Sequence, residues 1–271
     1  MFQGHYGPAG LLHLLFSDVS LVWLMISTQI IDICYFAMNL LCKYVCQMQV
    51  KECPFICSEY STLNVEWARK GVLMPTNNYA VFSHSLSGSV VLSLILTVLY
   101  VMIRGRGKRS FLSLYSIMFM GVVSHWLLDV VVHRPDMSLF PPWTHSRLGM
   151  GTWHYWSRLQ NLLLEYSCVF VGLVGIIATR IMNDGMTKGV TSQWSFWMAC
   201  GCYSLLAVVL NYVALYDDTP QKMTETAVDG AVLQPDHAIP VFISYVISIS
   251  ISYWMDSSRR SSTQDASKKN K

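Results

Sequence analysis

The sequence predicts an all-α fold: a polytopic membrane helix bundle of about six transmembrane helices, with a short N-terminal helix forming a hairpin with the first. Two observations lead there. Only 13% of the 271 residues are charged and 53% are hydrophobic, whereas a soluble domain carries roughly 25% charged residues. The deficit also falls in blocks, because 79–103, 190–216 and 238–255 contain no Asp, Glu, Lys or Arg. Uncharged apolar runs of about 18 or more residues are long enough to cross a hydrocarbon core as a helix. Only helices or closed barrels satisfy the backbone inside lipid, and these runs are too long for barrel strands.

Taken in order, His5 to Phe16 is apolar but too short to cross alone, and Ser17-Asp18 offers a polar turn and an N-cap for the helix that follows. The start, Met1-Phe2-Gln3-Gly4-His5, has no positive n-region and no small-residue cleavage site follows it. The first apolar stretch is therefore expected to be retained rather than cleaved as a signal peptide. The spans then run 19–45, 79–103, 110–133, 159–182, 193–216 and 238–256. Asp32 and Lys43 interrupt the first, His125 and Asp129 the third, Glu165 and Arg180 the fourth. An ionisable side chain inside a membrane helix is costly, so it faces a partner, a cavity or a metal. The last two spans carry few such residues; Asn211 is an amide that could bond across helices. This divides the chain into a metal-site core at 1–182, two scaffold helices at 183–256 and a polar, basic tail at 257–271. The tail is expected to be disordered and cytoplasmic.

Sidedness follows from the basic residues. Arg104, Arg106, Lys108, Arg109, Arg180, Lys188 and the Lys and Arg of the tail crowd short segments on one side, and the rest are spread over longer loops on the other. The positive-inside bias places the first side in the cytoplasm and the acidic loop 217–236 outside or in a lumen. The net charge of +3 reflects these basic loops, so membrane lipids are the expected partners and nucleic acid is not. Cys42, Cys46, Cys53 and Cys57 surround the first external loop with C-x3-C-x6-C-x3-C spacing, which admits disulfides, free thiols or a structural metal. Cys34, Cys168, Cys200 and Cys202 lie within spans and read as small core residues.

The ionisable residues converge on one level. In a hairpin folded at Ser17-Asp18, His5 lies 13 positions before the turn and Asp32 14 after it, so at 1.5 Å per residue both stand about 20 Å above it. Around the basic loop of the next two spans, His84 stands roughly 30 Å from the inner end, His125 about 24 Å and Asp129 about 30 Å. His125 and Asp129 are spaced i, i+4 and share a helix face, which His133 extends by a turn. His5, Asp32, His84, His125 and Asp129 are thus the candidate metal ligands. Imidazole with carboxylate suits a divalent ion, zinc first, with manganese or iron as alternatives. The number of side chains exceeds one tetrahedral ion, which allows two ions or one ion with a general base. His13 reads as structural, and His145, His154 and His237 as loop residues.

These residues sit in motifs: Gly4-His5-Tyr6-Gly7, Gln29-Ile30-Ile31-Asp32, Ser83-His84-Ser85-Leu86, and Ser124-His125-Trp126-Leu127-Leu128-Asp129 running on through His133-Arg134-Pro135-Asp136. In that order they resemble the YdjM-type family of membrane-bound metal-dependent hydrolases, most nearly a bacterial subgroup of membrane proteins with the same S-H-S-L and S-H-W-L-L-D-x-x-x-H-R-P-D motifs. Gly149-Met150-Gly151-Thr152-Trp153 and Glu165 extend the likeness over roughly residues 2–182. The resemblance implies metal ligation by His5, Asp32, His84, His125 and Asp129. The chain departs from the broader pattern before His84, where Asn78 to Ser83 replace an H-R-G-x-T-H-S segment; His133, Arg134 and Asp136 supply a histidine, a guanidinium and a carboxylate in its place.

The expected function is a metal-dependent hydrolase open to the outer or lumenal leaflet. His133 or Asp136 would act as general base or proton donor, and Arg134 would meet an anionic substrate such as a phosphoester or lipid-linked phosphate. Two other readings use the same residues: a divalent-metal or proton transporter with the His/Asp set as relay, and a non-catalytic structural membrane protein.

Overall fold

The computed structural model describes residues 3–45, 56–70, 72, 75–141, 143–144, 146–184, 194–216 and 238–269. It is mostly helical. A 3-10 turn at Gly4–Tyr6 leads into α1 (Gly7–Leu15), followed by α2 (Leu21–Ser27) and α3 (Ile30–Tyr44). The segment after α3 carries β1 (Glu59–Leu63), α4 (Val65–Arg69) and β2 (Thr76–Ala80), with β1 and β2 paired antiparallel from Glu59 opposite Ala80 to Leu63 opposite Thr76. Then come α5 (Leu86–Arg104), α6 (Phe111–Val132), a small hairpin of β3 (Met137–Ser138) and β4 (Arg147–Leu148), α7 (Thr152–Tyr155), α8 (Arg158–Asp184), α9 (Trp194–Tyr216) and α10 (Ala238–Lys269).

Three helices, α5, α6 and α8, are long and apolar enough to cross a membrane, and a fourth span results if α2 and α3 count together. Among the described side chains, 194–209 and 241–256 are shorter apolar stretches. The architecture is that of an integral membrane protein. Its polarity is arranged accordingly: Val91, Leu94, Ile95, Val98 and Met102 are exposed along α5, while Ser85, Ser89, Ser93 and Thr97 are buried at every fourth position. The hydroxyls of Ser89, Ser93 and Thr97 each donate to the carbonyl four residues back, at 2.9, 2.5 and 2.7 Å. With lipid as solvent, helix association rests on close packing and hydrogen bonding rather than on burying apolar area, and this stripe of small side chains is the packed face of α5.

Two spans differ from the sequence-based expectation. The stretch 19–45 is not one straight helix; it breaks at Thr28-Gln29 and turns by 58°. The stretch from 79 does not begin as helix, because Thr76–Ala80 pairs as a strand and Ser85 caps α5 by accepting from Gly88 N at 2.9 Å. The hairpin between α1 and α2 forms as expected, with a different cap. Ser20 is the N-cap residue of α2, and its hydroxyl donates to Asp256 Oδ2 at 2.5 Å on α10. Asp18 instead accepts from Arg109 in the α5–α6 loop, at 2.6 and 2.5 Å.

The tightest helix contact joins α1 to α8. A Cβ on Gly10 would overlap the backbone of Gly172, and one on Gly7 the backbone of Cys168, so only glycine at these positions permits main-chain contact. Outside the bundle, Cys42 at the end of α3 is disulfide-bonded to Cys57, with Cα atoms 5.0 Å apart, which ties the β1–β2 segment to α3. Cys46 and Cys53 lie outside the described residues. Cys34, Cys168, Cys200 and Cys202 are free thiols, of which Cys202 is exposed.

Candidate metal centre

Each candidate ligand is held by a local device. His5 sits in the 3-10 turn before α1, and the preceding Gly4 N–H donates to the buried Glu165 carboxylate on α8 at 2.8 Å. Together with the glycine contact of α1 on α8, this fixes the N-terminal turn against the bundle. Asp32 lies in the first turn of α3, just after the break, and its Oδ2 accepts from the Tyr245 hydroxyl on α10 at 2.8 Å.

His84 lies in the turn between β2 and α5. The buried Glu59 carboxylate, two residues beyond the disulfide cysteine Cys57, accepts from the N–H groups of Phe82 and Ser83 at 2.7 and 2.5 Å. Ser83 Oγ is 2.8 Å from His84 Nδ1, and Trp126 Nε1 donates to the His84 carbonyl at 3.2 Å. The segment between α3 and α5, a loop by sequence, is therefore the support that aims His84.

His125 and Asp129 share the buried face of α6 with Leu114, Met118, Gly121 and Val132. At Gly121 a Cβ would overlap the Ser27 side chain, so glycine lets the end of α2 come close. That approach brings the Thr28 carbonyl within 2.6 Å of His125 Nδ1. A carbonyl can only accept, so Nδ1 carries a proton and Nε2 is the nitrogen that faces the carboxylates.

Asp32, His84, His125 and Asp129 are all buried, and one ligand atom from each lies within 4.8 Å of the others. Asp32 Oδ1 is 3.2 Å from His84 Nε2 and 3.5 Å from His125 Nε2. Asp129 Oδ2 is 3.0 Å from His125 Nε2 and 3.5 Å from His84 Nε2. His5 adjoins this group rather than completing it: its ring lies tilted against His125 at 3.7 Å between centroids, and its Nε2 is 3.1 Å from Asp129 Oδ1. All five predicted ligands are thus brought together, at the end of α5 and α6 opposite the basic loop.

The donor set fits a divalent cation on two grounds. Two buried carboxylates require compensating positive charge. Moreover, both ring nitrogens of His5 and Nε2 of His125 make no hydrogen bond despite their carboxylate neighbours.

The three residues expected to be catalytic divide. His133, at the C-cap of α6, places Nε2 3.8 Å from Asp129 Oδ1 and Nδ1 3.3 Å from Asp136 Oδ1, with Trp153 at 5.1 Å between ring centroids. His133 and Asp136 therefore form a chain leading outward from Asp129. Arg134 is engaged elsewhere: its guanidinium lies over the Trp67 ring, 3.3 Å from the centroid, and donates to the Thr76 carbonyl.

Among the remaining histidines, His13 is buried with Nδ1 3.2 Å from the Val19 carbonyl. His154, in α7, meets Trp67 and Tyr155 edge-on. Burial lowers its pKa, with Arg134 and Lys70 adding to the effect. His145 and His237 lie outside the described residues, as does the side chain of Asn211.

Sequence reasoning missed Tyr245, Glu59 and the Gly4–Glu165 bond. A tyrosine in an apolar span carries no signal that it faces an acid some two hundred residues away. Glu59 sits in a stretch with no helical period. The glycine contact of α1 on α8 was missed too, although Gly7, Gly10, Gly172 and Gly175 show matching three-residue spacings.

A scan against protein-family models finds no match. Searches of curated proteins and of solved structures likewise return no similar chain.

Proposed function

We propose that this protein is a membrane-embedded, zinc-dependent hydrolase working at the outer or lumenal face, as the likeness to the YdjM-type family implies. The observation that carries this reading is the buried Asp32–His84–His125–Asp129 group. Two imidazoles and two carboxylates make a four-ligand set of the kind zinc takes. Zinc held there would polarise an ester or phosphoryl oxygen and bring a bound water toward neutral pKa.

The chain's own residues supply the rest. Thr28 fixes the tautomer of His125, and Tyr245 holds one oxygen of Asp32, so the ligands are oriented before anything binds. His133 and Asp136 carry a proton between the group and the surface. Six spans, with the basic loop and tail in the cytoplasm as the charge bias implies, would put this mouth on the other side. There Trp143 and Tyr155, 79% and 74% exposed, suit the headgroup layer. Arg134 brings positive charge to the mouth, which favours a phosphoester or lipid-linked phosphate. Arg134 acts here through its field, since its donors serve the external segment. A transporter would need acids and imidazoles along the membrane depth, whereas the interacting set is confined to one end.

The test is the metal content of the purified, detergent-solubilised protein by elemental mass spectrometry, beside His125→Ala and Asp32→Ala. Metal bound by the wild type and lost from both variants is the expected outcome. A well-folded wild type that takes up none, even when resupplied, overturns the reading.

A further inference from the structure

The Asp129 carboxylate has two oxygens, and they face different histidines. Oδ2 belongs to the four-residue group, 3.0 Å from His125 Nε2 and 3.5 Å from His84 Nε2. Oδ1 faces away from it, 3.1 Å from His5 Nε2 and 3.8 Å from His133 Nε2.

His5 is the informative member. It is 1% exposed, and neither of its ring nitrogens makes a hydrogen bond. Nε2 is near enough to Oδ1 for one, so what is lacking is direction: the ring does not aim its nitrogen at that oxygen. A nitrogen and an oxygen side by side, not pointed at each other, are arranged as two ligands of a shared cation are. His133 can supply a third donor from the end of α6. Its other nitrogen lies 3.3 Å from Asp136 Oδ1, the carboxylate–imidazole pairing that orients ligating histidines.

We propose that His5, Asp129 Oδ1 and His133 form a second divalent-cation site, with Asp129 bridging it to the Asp32–His84–His125 set. This rests on reading the buried Asp/His group as a metal site. It accounts for a side-chain count that exceeds one tetrahedral ion. It also brings positive charge to a place where Asp32 and Asp129 gather two buried carboxylates and Asp136 adds a third nearby. Ion pairs bridged in this way serve phosphoryl substrates, where one ion holds the attacking oxygen and the other the leaving oxygen. The assignment moves His133 from proton carrier to ligand and leaves Asp136 as the base at the mouth.

The experiment is a zinc titration of the metal-stripped, detergent-solubilised full chain, counting ions per chain by elemental mass spectrometry, with circular dichroism as the check on folding. Two ions in the wild type, falling to one in His5→Gln and in His133→Gln, is the expected result. If His5→Gln does not fold, His133→Gln decides alone, since its side chain is at the mouth. A wild type that saturates at one ion overturns the second site and leaves the first standing. Two ions retained in His133→Gln overturn the placement. No ion in the wild type overturns both.

Discussion

At the basic-loop end of the bundle, Asp18 accepts two hydrogen bonds from Arg109 with 59% of the Asp18 side chain exposed; at the opposite end, Asp129 is 2% exposed with four imidazoles within 3.8 Å. Both acids meet bases from distant parts of the chain, Asp18 through Arg109 and Asp129 through His5 and His84. Water and salt screen the first, so its contribution is about 0–1 kcal/mol whatever its geometry. The second has no water to fall back on, and its charge must be met by the groups around it or by a cation they hold. Burial, rather than the number of contacts, separates an acid that staples two loops from an acid that makes a site.

The comparison breaks most directly on its two acids. Asp129→Ala strips the buried imidazoles of their shared partner and is expected to cost about 3–5 kcal/mol together with all metal binding. Asp18→Ala leaves metal binding intact. Thermal unfolding of the two variants side by side checks this, and equal shifts in Tm would remove the distinction drawn here. A subtler cut is Tyr245→Phe, which keeps the ring and removes the hydroxyl donor to Asp32. Loss of a hydrogen bond to a charged group costs about 1.5–3 kcal/mol, and loss of a ligand's orienting partner about 10–100-fold in metal affinity. Competition with a chelator of known affinity measures the second effect; unchanged affinity would reduce Tyr245 to a packing residue. Smallest of all, Arg109→Gln should lower stability by no more than about 1 kcal/mol. That difference should shrink as salt rises, with zinc uptake unchanged throughout.

What the sequence makes legible here follows from rarity and from rise per residue. A histidine or aspartate in an apolar run stands out, and counting 1.5 Å steps from a turn places it in depth. His5, Asp32, His84, His125 and Asp129 could be brought to one level that way, and the structure has them in contact. The α2–α3 break was not legible, because Thr28-Gln29 contains neither proline nor glycine and the run on both sides stays apolar. Nor was the hold of Glu59 on the turn before His84, since no periodicity links an acid in β1 to main-chain donors some twenty residues on. Tyr245 shows a third limit: residues in the same site but on α3 and α10 share no local pattern. The Ser85, Ser89, Ser93 and Thr97 stripe marks the packed face of α5 in the sequence as plainly as in the structure.

The break at Thr28-Gln29 has an electrostatic consequence. A continuous helix exposes its unpaired peptide ends only at the membrane surfaces, where water serves them. Interrupting the helix creates two new ends at the depth of the site, and they are of opposite sign: the carbonyl end of α2 carries partial negative charge and the amide end of α3 partial positive charge. The structure sets a protonated ring nitrogen, His125 Nδ1, against the first and a carboxylate, Asp32, in the opening turn of the second. The first contact keeps the His125 proton on Nδ1, away from the site, and the second favours the ionised form of Asp32. Splicing α2 and α3 into one straight helix would withdraw both at once, making the same two ligands weaker while leaving every one of their atoms in the sequence.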